Sequence, residues 1–167
     1  MTVHCKMLRT MRDAVTLDLK RPHVYAHERV AFLGCRFGTC DSGLIILVED
    51  YYPVRDEDYE EDPCAGARIN SAAIRFALQA ALSLNAGMFH VHLHQHLGCP
   101  RPSFIDWAEW HKFVPNFWHV RPGLPHGALI FSADGVSGWC WYPVANTPIP
   151  IDRFTFVGRG MECRRLT

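Results

Sequence analysis

Met88-Phe89-His90-Val91-His92-Leu93-His94-Gln95-His96 sets apolar residues in alternation with histidines. A period of two is that of a β-strand, whose alternate side chains share a face. Residues 88–94 are therefore predicted as a strand with one apolar face, and His90, His92, His94 and His96 project together from the other wherever the strand stays regular. Just upstream, Ser71 to Asn85 reads as a helix: Ile74, Ala77, Ala81 and Leu84 make one apolar stripe, with Ser71 as N-cap and Gly87 as stop. Downstream, Gly98-Cys99-Pro100-Arg101-Pro102-Ser103 is a Gly/Pro turn leading to a helix from about Asp106 to Phe113, ending before Pro115.

The same reasoning covers the flanks. A strand over Val3 to Leu8 leads into a helix near Thr10, where Thr10 and Asp13 have capping-box spacing, and the helix stops before Pro22. Arg29 to Phe37 and Gly43 to Val48 read as strands joined by a hairpin at residues 38–42. Glu49 to Asp62 holds eight of the seventeen acidic residues and reads as an exposed loop, either solvated or a dock for a basic segment. Gly127 to Ser132 and Val136 to Tyr142 form a hairpin around Ala133-Asp134-Gly135, and Ile151 to Val157 is a last strand. This order predicts an α/β (α+β) fold, one domain over residues 1–167 with a mixed, largely antiparallel sheet flanked by helices.

Composition narrows the function classes. The chain has 167 residues, 49% apolar and 20% charged, which fits a globular domain and excludes a coiled coil or disordered tail. Seventeen basic residues balance seventeen acidic ones, so no global attraction to nucleic acid or anionic membrane is expected. The longest apolar stretches are far short of the ~20 residues that span a bilayer, and MTVHCKMLRT lacks a signal-peptide core. A cytoplasmic protein is expected. Seven scattered cysteines without a CxxC pair suit neither a disulfide framework nor a four-cysteine zinc site, and most are expected to be buried.

The chemistry lies in the histidine strand. Two imidazoles on one face can grip one metal, and Asp106, folded back by the Gly/Pro turn, can supply a carboxylate. Three protein ligands and one open position make a catalytic rather than a structural zinc site. Hydrolysis also needs a base and an oxyanion donor. Glu28, at the start of an apolar strand, is the candidate base, and Ser103, three residues before Asp106, the candidate donor, although Ser103 is also suited to capping the helix. His90 reads as an outer or packed histidine, and His119 and His126 as structural. Trp107, Trp110, Phe113, Phe117 and Trp118 read as core that could also line a groove.

These residues resemble the JAB/MPN (JAMM) metallopeptidases, in the prokaryotic branch of that family. The resemblance rests on Glu28-Arg29-Val30-Ala31-Phe32-Leu33-Gly34, then the histidine strand, then Pro102-Ser103-Phe104-Ile105-Asp106, and spans about Glu28 to Phe131. It implies a JAB/MPN-like, cytidine-deaminase-like fold; Zn2+ held by two histidines and Asp106; Glu28 as general base; and Ser103 as stabiliser of the tetrahedral intermediate. Eleven residues separate His94 from Asp106 and nine separate His96 from Asp106, one more and one fewer than the family's usual spacing. The ligand pair is thus His92 with His94, or His94 with His96 in place of His92.

The resemblance further implies a deubiquitinase-like isopeptidase or peptidase, cleaving after the C-terminal tail of a ubiquitin-like protein in precursor processing or deconjugation. Associated E1-like activating and E2-like conjugating proteins, or a role in antiviral defence, go with that branch. A noncatalytic MPN-like scaffold is the alternative, against which Glu28, Ser103 and Asp106 are all present. A nucleoside deaminase is excluded, because the chain has no HxE next to a PCxxC.

Overall fold

The computed structural model describes residues 1–41, 43–143 and 147–165. In chain order the elements are β1 (Thr2–Leu8), α1 (Arg9–Leu19), β2 (Val30–Cys40), β3 (Gly43–Pro53), a 3-10 turn (Asp56–Asp58), β4 (Tyr59–Glu60), β5 (Arg68–Ile69), α2 (Ser71–Leu84), β6 (Gly87–Leu93), α3 (Phe104–Phe113), a second 3-10 turn (Val114–His119), β7 (His126–Phe131), β8 (Val136–Trp141), β9 (Ile149–Pro150), β10 (Arg153–Val157) and β11 (Glu162–Arg165). Nine strands form one mixed sheet in the order β11-β10-β1-β3-β2-β6-β7-β8-β9, while β4 and β5 pair separately. Within the large sheet, β1 runs parallel to β10 and β3, and β6 parallel to β7. The other five pairings are antiparallel.

The period-two pattern decides which helix meets which face. From β6, Phe89, Val91 and Leu93 join Ala31 and Leu33 of β2 and Leu129 and Phe131 of β7 in one apolar cluster, against which Val15 and Leu19 of α1 pack. The intervening residues face the other way. There Val30, Phe32 and Met88 meet Ala73, Ala77 and Ala81 of α2, whose small side chains let the helix lie close to the sheet. Farther along that face, Trp110 of α3 packs with Ala128, Ile130 and Trp141. His90 and His92 point to this α2/α3 side, and β6 is buried along its whole length between β2 and β7.

Several expectations shift. α1 starts at Arg9 straight off β1 with no side-chain cap, because its buried stripe through Val15 and Leu19 fixes its start; Asp13 pairs with Arg12 at 2.6 Å instead of completing a capping box. α2 is capped one residue earlier than expected: Asn70 accepts from the amides of Ala72 and Ala73, and Asn85 closes the helix at φ 51° in the left-handed region. The hairpin strands β2 and β3 run on to Cys40 and Pro53, with Ser42 of the expected turn outside the described residues. Two short strands, β9 and β11, extend the C-terminal part of the sheet beyond what the pattern predicted.

The acidic segment is not an exposed loop. Glu49 to Pro53 belongs to β3, and Asp58 and Tyr59 are buried. Six of its eight carboxylates pair with the chain's own arginines: Glu49 with Arg36, Asp56 with Arg29, Glu57 and Asp58 with Arg55, and Glu60 and Asp62 with Arg68. Four arginines therefore offset about half of the segment's eight negative charges. The cysteines also differ from expectation: only Cys5, Cys35 and Cys140 are buried, the others lying at strand ends, in connecting segments or on an edge strand. Among the described residues, no helix is long and apolar enough to cross a membrane.

Candidate metal centre

β6 ends at Leu93, and the His94 amide donates to the Phe131 carbonyl at 2.9 Å, which extends the ladder to β7 by one bond. His92 and His94 thus keep the spacing that brings their rings together. Their Nε2 atoms are 3.0 Å apart. The chain then turns, and His96 lies exposed with its Nδ1 on the Leu97 carbonyl. The four-histidine row is therefore broken after His94, so the geometry assembles His92 with His94 and leaves the alternative His96 outside.

α3 carries the carboxylate. Ser103 is its N-cap: the Ser103 hydroxyl accepts from the Asp106 amide at 3.1 Å, and Asp106 Oδ2 accepts from the Ser103 amide at 2.6 Å. This capping box fixes the Asp106 side chain at the start of the helix. Asp106 Oδ1 stands 3.3 Å from His92 Nε2, and Oδ2 stands 3.8 Å from His94 Nε2. Capping was the plainer reading of Ser103, and the structure bears it out. The role in chemistry stays open to the same hydroxyl, because accepting the amide leaves its own proton to donate into the adjoining groove.

Glu28 precedes β2. The register of β2 on β6 pairs Val30 with His92, so continuing the ladder sets Glu28 opposite His94. Ligand atoms of Glu28, His92 and His94 all lie within 4.8 Å of one another, a possible metal-binding triad. Two carboxylates thus approach the same imidazole pair, and their mutual repulsion differentiates them. Burial, then the Asp106 charge, raises the Glu28 pKa above the ordinary carboxylate value. The Asp106 carboxylate is tied by the Ser103 amide, and the Glu28 carboxyl keeps its proton more readily than an ordinary carboxylate.

The donor spacing is on the scale zinc requires. A tetrahedral ion with bonds of about 2.0–2.1 Å has ligand-to-ligand edges of about 3.3–3.4 Å. The two Nε2 atoms are 3.0 Å apart and Asp106 Oδ1 is 3.3 Å from His92 Nε2, while the nearer approach of Asp106 to His94 that is seen, 3.8 Å, is through its other oxygen. Burial lowers the pKa of both His92 and His94 against the opposing pull of Asp106, which keeps the imidazoles in the neutral form a metal needs. One term opposes binding. His92 Nδ1 is sealed from solvent with no hydrogen-bond partner, so ligation through Nε2 leaves its N–H unsatisfied. That costs about 1–3 kcal/mol, well below the roughly 10–16 kcal/mol that structural zinc sites release.

The centre opens into a groove of about 620 Å³, with Glu28, His90, His92, His94, Ser103 and Asp106 along it. One wall is the segment from Asp62 to Ile69, which no motif or spacing associates with the site. Glu28 donates its amide to the Gly66 carbonyl at 2.9 Å, and a Cβ on Gly66 would stand 2.9 Å from Glu28 Oε2. A side chain at position 66 would push the carboxylate from where it stands. The small-residue run Ala65-Gly66-Ala67 was its one visible trace. Trp110, read as core, is core and also donates its indole N–H to His90 Nδ1 at 3.2 Å. His126 is structural: it accepts from the Met88 amide and faces the Arg121 carbonyl. No protein-family model and no curated protein matches the chain, so the centre is interpreted on its own geometry.

Proposed function

We propose that the chain is a zinc-dependent peptidase or isopeptidase of the JAB/MPN kind, acting after the extended tail of a ubiquitin-like protein. The observation that carries this reading is the convergence of His92, His94 and Asp106 on one point, with Glu28 beside it and Ser103 at the rim. His92 Nε2, His94 Nε2 and an Asp106 oxygen would hold the ion. When bound, zinc supplies Lewis acidity, polarising a carbonyl and bringing the pKa of water to about 7.

The remaining work belongs to the chain. Glu28 takes a proton from the attacking water as the new C–O bond forms, and its raised pKa suits it to return that proton. The Ser103 hydroxyl donates to the oxygen on which negative charge develops. Glu28 then passes the proton to the amine nitrogen as the C–N bond breaks, so atoms and charge balance. The N-cap contacts keep Ser103 and Asp106 in fixed relation throughout.

The test is zinc content together with cleavage of ubiquitin-like fusions. Wild type should bind one zinc and cleave. Glu28→Gln should keep the metal and lose turnover, whereas Asp106→Ala should lose most of its zinc. Equal cleavage by all three proteins would remove the proposal.

A further inference from the structure

His90 differs from another buried histidine, His126. Both ring nitrogens of His126 have partners within the protein, the Met88 amide at 3.0 Å and the Arg121 carbonyl at 3.2 Å. His90 has one. An indole N–H can only donate, so the 3.2 Å bond from Trp110 Nε1 makes His90 Nδ1 an acceptor and leaves the ring proton on Nε2. No described residue accepts from that Nε2–H. It is not sealed either: Arg9 Nε and His92 Nδ1 are the only solvent-excluded, unpartnered side-chain nitrogens among the described residues. His90 lines the groove. A donor of fixed tautomer, 92% enclosed, is thus presented to the cavity that holds the metal ligands.

Its surroundings select the acceptor. Phe113 and Phe32 stand edge-on to the ring at 5.2 and 5.8 Å between centres, and Val30 and Ile74 also line the groove. The groove also carries charged residues, Arg68 and Lys112 among them, but the ring contacts just named are aromatic, and a neutral donor among them pairs with an uncharged peptide carbonyl without burying a charge. The His90 and His92 rings are 5.5 Å apart. At about 3.3–3.6 Å per extended residue, an acceptor on His90 lies within one or two residues of the bond over the metal.

We infer that His90 is a substrate-binding residue whose Nε2–H takes a carbonyl oxygen of the bound peptide next to the scissile bond, with Trp110 positioning it by fixing the tautomer. This rests on the peptidase reading for the identity of the ligand, but the tautomer and the open donor do not depend on turnover.

The experiment combines two readouts. In zinc-loaded protein labelled with 15N-histidine, long-range 1H–15N correlations should report the Nε2–H tautomer for His90, and titration with a ubiquitin C-terminal tail peptide should shift that signal. With ubiquitin carrying a fluorogenic amide at its C-terminus, His90→Phe should raise KM about 10-fold, with kcat within about twofold and zinc content unchanged. His90→Gln, which can accept from Trp110 and still donate, should restore KM to within about threefold. An Nδ1–H tautomer, an unmoved signal on peptide addition, or wild-type kinetics in His90→Phe would overturn the assignment. Zinc-loaded wild type without turnover would instead count against the peptidase reading, and the tautomer and peptide titration would still decide the role of His90.

Discussion

Ser103 is asked to do two things, and they can be separated by substitution. Its oxygen accepts the Asp106 amide at 3.1 Å, while its own proton is free for an oxyanion. Ser103→Ala removes both; Ser103→Gly removes the hydroxyl but is nearly neutral as an N-cap. Replacing a serine cap by alanine costs about 1 kcal/mol, by glycine only a few tenths of that scale. For a chain of this length 1 kcal/mol lowers Tm by about 2–4 °C, and a domain stable by about 5–15 kcal/mol remains folded at assay temperature. Loss of an oxyanion donor costs about 100- to 1,000-fold in kcat. The bond from the Ser103 amide to Asp106 Oδ2 survives in both variants, so zinc content should not change. Calorimetry should therefore separate alanine from glycine, while kcat on a ubiquitin amide should fall alike in both. Wild-type kcat in Ser103→Gly, or losses of kcat that track Tm, would reduce Ser103 to a helix cap and refute its chemical role.

Gly66→Ala brings a Cβ to 2.9 Å from Glu28 Oε2 and 3.1 Å from Cδ, so the carboxylate must move. Because displacement by 1 Å can cost about 100-fold, kcat should fall roughly 10- to 100-fold at constant zinc stoichiometry, and unchanged kcat would show that Glu28 is not the base. Burial holds the His126 pKa at about 4, below its ordinary 6.5, against the bond to the Arg121 carbonyl. The neutral ring is favoured in the fold, so this stability is full above pH 6.5 and is lost as pH falls through 4. At 1.36 kcal/mol per pKa unit it reaches about 3 kcal/mol. Urea unfolding of wild type should weaken between pH 7.5 and 4.5 by about 2 kcal/mol more than that of His126→Gln, and parallel pH curves would contradict the linkage.

The parts of the fold that the sequence exposed were those written in a strict period. Strand β6 and helix α2 were legible because alternation sorts the β6 residues onto two faces of the sheet, and because Ala77 and Ala81 of the predicted stripe are buried against it. What stayed hidden depended on contacts distant in sequence. Glu49 to Asp62 looked solvent-borne because its carboxylates are visible in the chain and arginines that pair with them, such as Arg29 and Arg36, are not adjacent. His92, His94, Asp106, Ser103 and Glu28 could all be named as candidates from type and position. The choice of His92 rather than His96 as the partner of His94 depended on where β6 ends, and the wall at Gly66 depended on a loop packing against Glu28. Neither the strand end nor that contact has a local signature.

Zinc-edge X-ray absorption on the loaded protein separates this centre from a thiolate site, for which the chain's seven cysteines offer rival ligands. The account predicts a shell of nitrogen and oxygen only, at about 2.0–2.1 Å, with imidazole scattering from two histidines. A sulfur shell at about 2.3 Å, or protein that takes up no zinc at saturating concentration, would contradict it.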